Sequence, residues 1–392
     1  MAHAENSVLI LGTRGVPANH GGFETFAQRF ALFLVDRGWN VTVYCQEDVD
    51  KVVKPFIEDK WRGVNRIRVQ VAGSGPRATL EFDWLCVRDA AKRPGLCLVL
   101  GYNTGFLIPY LRLRGRKVLT NMDGIEWRRP KWNRAIRAWF WVNERIAVWS
   151  SHRLVADHPA IAAHLATRGS AKSTVVIPYG GDPVYQAPER PARDLGLTPG
   201  RYLISIARIE PDNNILTLVE AFSRARRDAK LVVLGDLRED NPYHRSVRAA
   251  ASDEVVFPGG LYDPHITRSL RFHCRAYLHG HIVGGTNPSL VEALWAGNAV
   301  VAHDNVYNRW TAGDAALFFN DTAACEDALA RILRDDVLVR RLSTAARARA
   351  QAAFRWTDVC FAYERECQAL LAGRETQGLL AGEAAAATPR WT

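Results

Sequence analysis

The chain of 392 residues is sparing with cysteine, and its seven, Cys45, Cys86, Cys97, Cys274, Cys325, Cys360 and Cys367, are scattered, odd in number and without a CxxC pair. That pattern excludes a disulfide framework and a zinc ribbon, and predicts reduced structural thiols. Nowhere does an apolar run approach the ~20 residues that a membrane-spanning helix needs. The opening stretch, MAHAENSVLILG, lacks a basic segment and a cleavage pattern, so it reads as a first strand and the expected location is the cytoplasm. Acidic residues are outnumbered, 41 against 51 basic ones, for a net charge of +10. Such a surplus speaks of partners rather than of fold: nucleic acid, anionic lipid and phosphorylated substrates all remain open. What the chain does have is 48% hydrophobic and 23% charged residues, the composition of a folded globular protein. Its length exceeds one ordinary core, which predicts two domains.

Short apolar runs alternate with helical patterns throughout. Strands are expected at residues 8–13, 41–45, 67–72, 97–102, 117–121 and 153–157, and again at 202–207, 231–235, 255–258, 276–279 and 299–302. A first helix at 23–35 places Phe23, Phe26, Phe30 and Leu34 on one face. The alternation predicts an α/β protein with two doubly wound, Rossmann-like domains facing across a cleft. The Pro- and Gly-rich PYGGDP, followed by a charged segment to Gly200, marks the seam. Domains are therefore expected at 1–178 and 179–355. A last helix at 356–371, with Trp356 and Phe361 as its apolar face, is expected to pack back on the first domain, and 372–392 is expected to be a mobile tail. Open α/β sheets bind ligands beyond the carboxyl ends of their strands.

Four segments fall at such ends. The first is GGTNPSLVEALWAG, residues 284–297. Asn287 suits a helix N-cap, Pro288 the first helical position and Gly297 the stop. A strand, a glycine loop and a helix start together form an anion site, because free N–H groups and the helix dipole point at it. Glu292, about a turn inside, suits two hydroxyls of a ribose, so the segment reads as a nucleoside diphosphate site; the plain alternative is an ordinary helix start with a solvated glutamate. The second, LGTRGVPANHGGFETF (residues 11–26), is too long for a spaced dinucleotide loop. Its glycines Gly12, Gly15, Gly21 and Gly22 allow close backbone approach, and Arg14, His20 and Glu24 stand among them. The third, SIARIEPDNN (205–214), places Arg208 at a strand exit, a bidentate partner for a diphosphate or a surface partner for Glu210. In TNMDGIEW (120–127), Asp123 and Glu126 suit a sugar hydroxyl or general-base role, and Asp123 equally suits a helix cap.

Residues 127–153 hold five tryptophans and seven arginines or lysines. Trp132, Ile136, Trp139 and Phe140 share a helical face, with Arg134, Arg137 and Arg145 off it. This reads either as a membrane-interface surface or as a core helix with a basic flank.

With these residues in view, the chain resembles family-4 glycosyltransferases of the two-domain GT-B architecture. The segments GTRGVPANHGGFETF, NMDGIEWRRPKW, ARIEPDNN and HGHIVGGTNPSLVEAL resemble the bacterial rhamnosyltransferase branch. The resemblance runs from about Val8 to Leu371. It implies retaining transfer from a nucleotide sugar, with dTDP-rhamnose as the expected donor, no cofactor and no required metal. It implies that Arg208 binds the diphosphate and that Gly285, Thr286, Asn287, Pro288, Ser289 and Leu290 form its backbone cradle. Glu292 would hold the ribose, and Gly15, Gly21 and Gly22 would lie near the donor phosphate. Asp123 stands about where many relatives have a histidine, so it is either catalytic or orients the acceptor or the sugar. The broad family also has a lysine at the position of Asn213 and a glutamate at that of Gly284. The implied acceptor is a lipid-linked or cell-surface glycan, with peripheral contact to the inner face of the membrane through residues 127–153. A soluble natural-product acceptor with a UDP- or GDP-sugar donor, or a nucleotide-sugar epimerase, are the alternatives. Nucleic acid is not expected as a partner, because the basic residues gather on one helix and no nucleic-acid motif is present.

Overall fold

The computed structural model describes residues 6–19, 21–169 and 173–374. His20 and nearly all of the expected tail, from 375 onward, lie outside the described residues. The chain divides into two units, one comprising Met1–Trp127, Trp132–Pro178 and Thr357–Thr392, the other Arg128–Lys131 and Tyr179–Trp356.

The first unit is an eight-stranded sheet. Its strands are β1 (Ser7–Leu11), β2 (Asn40–Val49), β3 (Phe56–Trp61), β4 (Val64–Ala72), β5 (Leu96–Leu100), β6 (Val118–Asn121), β7 (Arg153–Ala156) and β8 (Thr174–Val176). They lie in the order β3-β4-β2-β1-β5-β6-β7-β8. All pairings are parallel except β3 on β4. Strand β1, Ser-Val-Leu-Ile-Leu, is buried along its whole length, as a central strand covered on both faces must be. The helices that matter below are α1 (Gly22–Asp36), α2 (Pro76–Ala90), α3 (Ile108–Leu113) and α4 (Arg134–Ser150).

The second unit has β9 (Tyr202–Ile206), β10 (Lys230–Leu234), β11 (Val255–Gly259), β12 (Ala276–His279), β13 (Ala299–His303) and β14 (Ala316–Phe319), ordered β11-β10-β9-β12-β13-β14 and wholly parallel. Alternate residues feed two apolar layers. Tyr202, Ile204 and Val300 enter one, and Leu203, Val233 and Val301 the other. Each sheet reverses its winding once, between β1 and β5 in the first and between β9 and β12 in the second. These switch points are where open α/β sheets leave a crevice for ligands.

The last helix, Trp356–Leu371, packs on the first unit from Thr357 onward. Its buried Glu364 accepts from Arg37 Nε at 2.8 Å and Trp39 Nε1 at 2.9 Å, and Glu366 pairs with buried Arg153 at 3.2 Å. Tyr363 meets Phe26 at a tilt, ring centroids 4.5 Å apart, and accepts from Asn121 Nδ2 at 2.7 Å. The packing face is therefore Val359, Cys360, Tyr363 and Cys367, with the expected Phe361 at its edge, 45% exposed and meeting Phe33 of α1 edge-on at 5.0 Å. The expected Trp356 instead meets Tyr179 within the second unit.

Two further corrections concern boundaries. Arg128–Lys131 groups with the second unit, although it was expected within the first domain. Three strands, β3, β8 and β14, are additional to the expected set. All seven cysteines are free and buried, and among the described residues no helix is long and apolar enough to cross a membrane.

Candidate functional site

At the switch point of the second unit, β9 delivers Arg208 and β12 delivers the segment His279-Gly280-His281, followed by the glycine loop. The helix Pro288–Ala296 starts as its residues dictate. The Asn287 side chain caps the Ser289 N–H at 3.0 Å, Pro288 fills the first turn and Gly297 ends it at φ +75°. Ser289 Oγ donates to the Ile206 carbonyl at 2.9 Å and contacts the buried Tyr277 hydroxyl. The helix start is thus pinned to the end of β9, two residues before Arg208, whose side chain is 72% exposed.

The backbone cradle is narrower than expected. Pro288 has no N–H, that of Ser289 goes to its cap, and that of Leu290 goes to the Asn287 carbonyl at 3.1 Å. The Leu290 side chain lies in the apolar core. Gly285 and Asn287 are the cradle residues whose N–H groups no other described residue engages, and Thr286 is buried beside them.

Glu292 is 41% exposed, and its Oε2 takes a 2.6 Å ion pair from Arg271, itself nearly buried on the helix Pro264–His273. Arg271 was not anticipated. A carboxylate held this way keeps one oxygen for a ligand and cannot rotate freely.

The position where the wider family has lysine is Asn213, and its amide donates to the Arg208 carbonyl at 2.7 Å. It shapes the loop and brings no charge. Cations come from Arg128–Lys131 instead: Lys131 Nζ lies 3.0 Å from Glu210, which also faces Arg208 at 3.6 Å, and Arg129 lies 3.7 Å from the buried Asp212. Burial pushes the Glu210 carboxyl up, but Lys131, Arg208 and Arg129 outweigh it and hold it below its ordinary value. His281 stacks on His279 with ring centroids 4.2 Å apart. Burial, then Arg129 and Arg208, push His281 down to about 3, so its imidazole is neutral beside the cations.

The first unit is built otherwise. The carboxylate of Glu24 folds back over the start of α1, accepting the Arg14 N–H at 2.9 Å and the Thr13 hydroxyl at 3.3 Å. The protein's own carboxylate thus stands beside this helix start without capping it. Gly15 is buried against Cys45, and Gly21, at φ +99°, leaves no room for a Cβ beside Glu24. Together with Gly22, the first residue of α1, these glycines serve the turn. Asp123 adopts left-handed backbone at φ +51°, with its N–H on Asn121 Oδ1 at 2.8 Å, rather than capping a helix. Such strain on a non-glycine residue often marks a functional position.

A cavity of about 130 Å³ opens at the β1/β5 switch point between α2 and α3. Its polar lining includes Arg14, Glu24, Thr79, Asp83, Asn103 and Thr104. Burial pushes the Asp83 carboxyl up to about 6, against the 2.9 Å hydrogen bond it accepts from Thr104. This group too was absent from the sequence reading.

Residues 192–349 match the family described as "Glycosyl transferases group 1", and residues 5–182 match "Domain of unknown function (DUF1972)". No curated protein matches the chain in sequence. Its fold is similar to sucrose-phosphate synthase from Thermosynechococcus elongatus, with TM-score 0.78, 19% identity, and 94% of this chain and 100% of that one covered. It is also similar to Anabaena Alr3699/HepE in complex with UDP (TM-score 0.71, 16% identity, 92% and 99% covered). A third neighbour is a UDP-forming alpha,alpha-trehalose-phosphate synthase from Burkholderia xenovorans (TM-score 0.71, 12% identity, 93% and 100% covered). The fold and the match of the second unit define the class: a glycosyltransferase of the GT-B type.

Proposed function

We propose that this glycosyltransferase moves L-rhamnose from dTDP-rhamnose to a lipid-linked or cell-surface glycan, with retention of anomeric configuration and no required metal. The observation that carries the reading is the junction of Arg208, the Gly285 and Asn287 N–H groups and the Arg271-held Glu292 at one switch point. A nucleoside diphosphate fits it: phosphates on the helix start and Arg208, ribose hydroxyls on the remaining Glu292 oxygen. The solved neighbour with bound UDP has the same architecture.

In the reaction the bond from the anomeric carbon to the phosphate oxygen breaks, and a bond to the acceptor oxygen forms on the same face. The acceptor proton passes to the departing phosphate. Charge growing on the diphosphate is met by Arg208 and the cradle N–H groups. Arg129 and Lys131 add the counter-charge that the wider family takes from a lysine. Gly284 in place of a glutamate removes one hydroxyl acceptor, which suits a 6-deoxy sugar. On the first unit, the cavity around Asp83 takes acceptor hydroxyls, and Asp123 orients the acceptor or the sugar.

The test is thermal shift and slow donor hydrolysis on purified protein, in EDTA, with dTDP-rhamnose, UDP-glucose, UDP-N-acetylglucosamine and GDP-mannose. A response to dTDP-rhamnose alone is expected. A response only to a UDP- or GDP-sugar would discard the rhamnosyl reading, and release of an isomerised free sugar without acceptor would point to an epimerase.

A further inference from the structure

The first unit leaves a continuous aromatic and basic face uncovered. On α4 the expected face is only partly turned toward protein: Trp132 packs on Phe140, whereas Trp139, edge-on to Phe106 and donating its Nε1 to the Asn103 carbonyl at 3.0 Å, stays 42% exposed. Trp127, just ahead of the helix, donates to the buried Glu144. A second, more open stripe holds Arg134, Ala138, Trp141, Val142 and Trp149, spaced at helical intervals, with the half-buried Arg145 among them. Tryptophans occur on both sides of this helix, so its periodicity alone does not choose between them.

The stripe continues onto neighbouring elements. Arg112 at the end of α3 donates to the Trp149 carbonyl, and Leu113 beside it is 85% exposed. Tyr110 meets Trp84 of α2 edge-on at 5.5 Å, and Leu80 lies one turn earlier, also exposed. Trp149 itself is 68% exposed. Isolated exposed apolar side chains are ordinary, whereas a contiguous set across three elements marks an interaction surface.

The charges identify the occupant. Guanidinium groups lie over the same rings, Arg88 on Trp84, Arg114 on Tyr110 and Arg145 on Trp141. From Gly101 to Asn121 the sequence has no acidic residue. Of the acids on α2 and α4, Glu144 is buried against His164 and Arg168, Asp83 faces the cavity, and Asp89 pairs with Arg93; Glu81 is the exposed one. Cations level with apolar rings match the boundary where headgroup phosphates meet acyl chains. A second copy seated across a two-fold axis would instead set arginine against arginine with little acid to pair.

We propose that α2, α3 and α4 form a docking surface for an anionic lipid bilayer. Its purpose rests on the reading of a lipid-linked acceptor; its geometry does not. The test is co-sedimentation of the full chain with phosphatidylcholine vesicles, with and without phosphatidylglycerol, at low and high salt. Binding to the phosphatidylglycerol vesicles, weakened by salt, is expected. Leu113→Ser with Trp149→Ser should lower partitioning about tenfold. Arg88→Gln with Arg114→Gln should lower it at least about fivefold and flatten its salt dependence. Circular dichroism and nucleotide-sugar hydrolysis should not change in either variant. Absence of binding to anionic vesicles, or binding equal in the folded variants, would overturn the proposal. So would a wild-type dimer that the Leu113/Trp149 variant converts to monomer. Donor turnover without vesicle binding sinks the docking surface alone, and vesicle binding without any donor response sinks the glycosyltransfer reading alone.

Discussion

The two units meet the same architectural demand, a ligand crevice at a switch point, in opposite ways. In the second, Asn287, Pro288 and Ser289 spend their bonds on shaping the turn, the Gly285 and Asn287 N–H groups are engaged by no other described residue, and Arg271 fixes Glu292. In the first, the Glu24 carboxylate stands beside the corresponding helix start, and open space lies in a cavity lined by Asp83. Under the proposed function the contrast gives an anion to one crevice and neutral hydroxyls to the other. A phosphate entering the first would meet the Glu24 carboxylate, whereas the second presents cations and N–H groups.

The largest effect that sharpens this contrast is expected from Arg208→Ala. Losing a charge-assisted contact to a diphosphate should weaken nucleoside diphosphate affinity ~10- to 100-fold. Arg271→Gln, which touches the ligand only through Glu292, should cost up to about tenfold. Isothermal titration with the nucleotide on the purified variants checks both, and an Arg208→Ala protein that binds as tightly as the wild type would break the assignment of the second crevice. A middle-sized effect is expected from Asp83→Asn. It should raise the acceptor KM about tenfold while leaving nucleotide affinity untouched. An equal loss of nucleotide affinity would erase the distinction between the crevices.

Much of the second crevice was legible in the sequence. Asn287, Pro288 and Gly297 carry local chemistry that fixes a helix start and stop wherever they fall, and the apolar run Ala276–His279 could be only a strand. What was not legible depends on distant neighbours. Arg271 sits on a helix whose residues give no hint that it reaches Glu292, and Arg128–Lys131 is far in sequence from the loop it joins. The cavity draws on β1, α1, α2, β5 and α3, and no single segment announces it. Strand β3, Phe-Ile-Glu-Asp-Lys-Trp, hides its character because an edge strand carries many polar groups. Glycine density in the first loop was visible, but whether a glycine faces a ligand or packs on Cys45 is decided by β2.

The smallest expected effect separates the two units by the sign of their pH response. His281, lowered from 6.5 to about 3, stays neutral in the fold while the unfolded chain takes up a proton below about pH 6.5. The unfolded state then binds more protons, so this group's contribution to stability falls as pH drops from about 6.5 toward 3. Asp83, raised from 3.8 to about 6, keeps its proton in the fold where the unfolded chain has lost it. Its contribution is present below about pH 3.8 and is lost as pH rises through about 6. Measured as the Tm of variant minus wild type, His281→Asn should become relatively more stable on acidification from pH 7 to 4. Asp83→Asn should become relatively more stable over the reverse change. Two slopes of the same sign would mean that burial, reinforced by cations, of the imidazole in one unit and burial of the carboxyl in the other do not set these protons as the structure indicates.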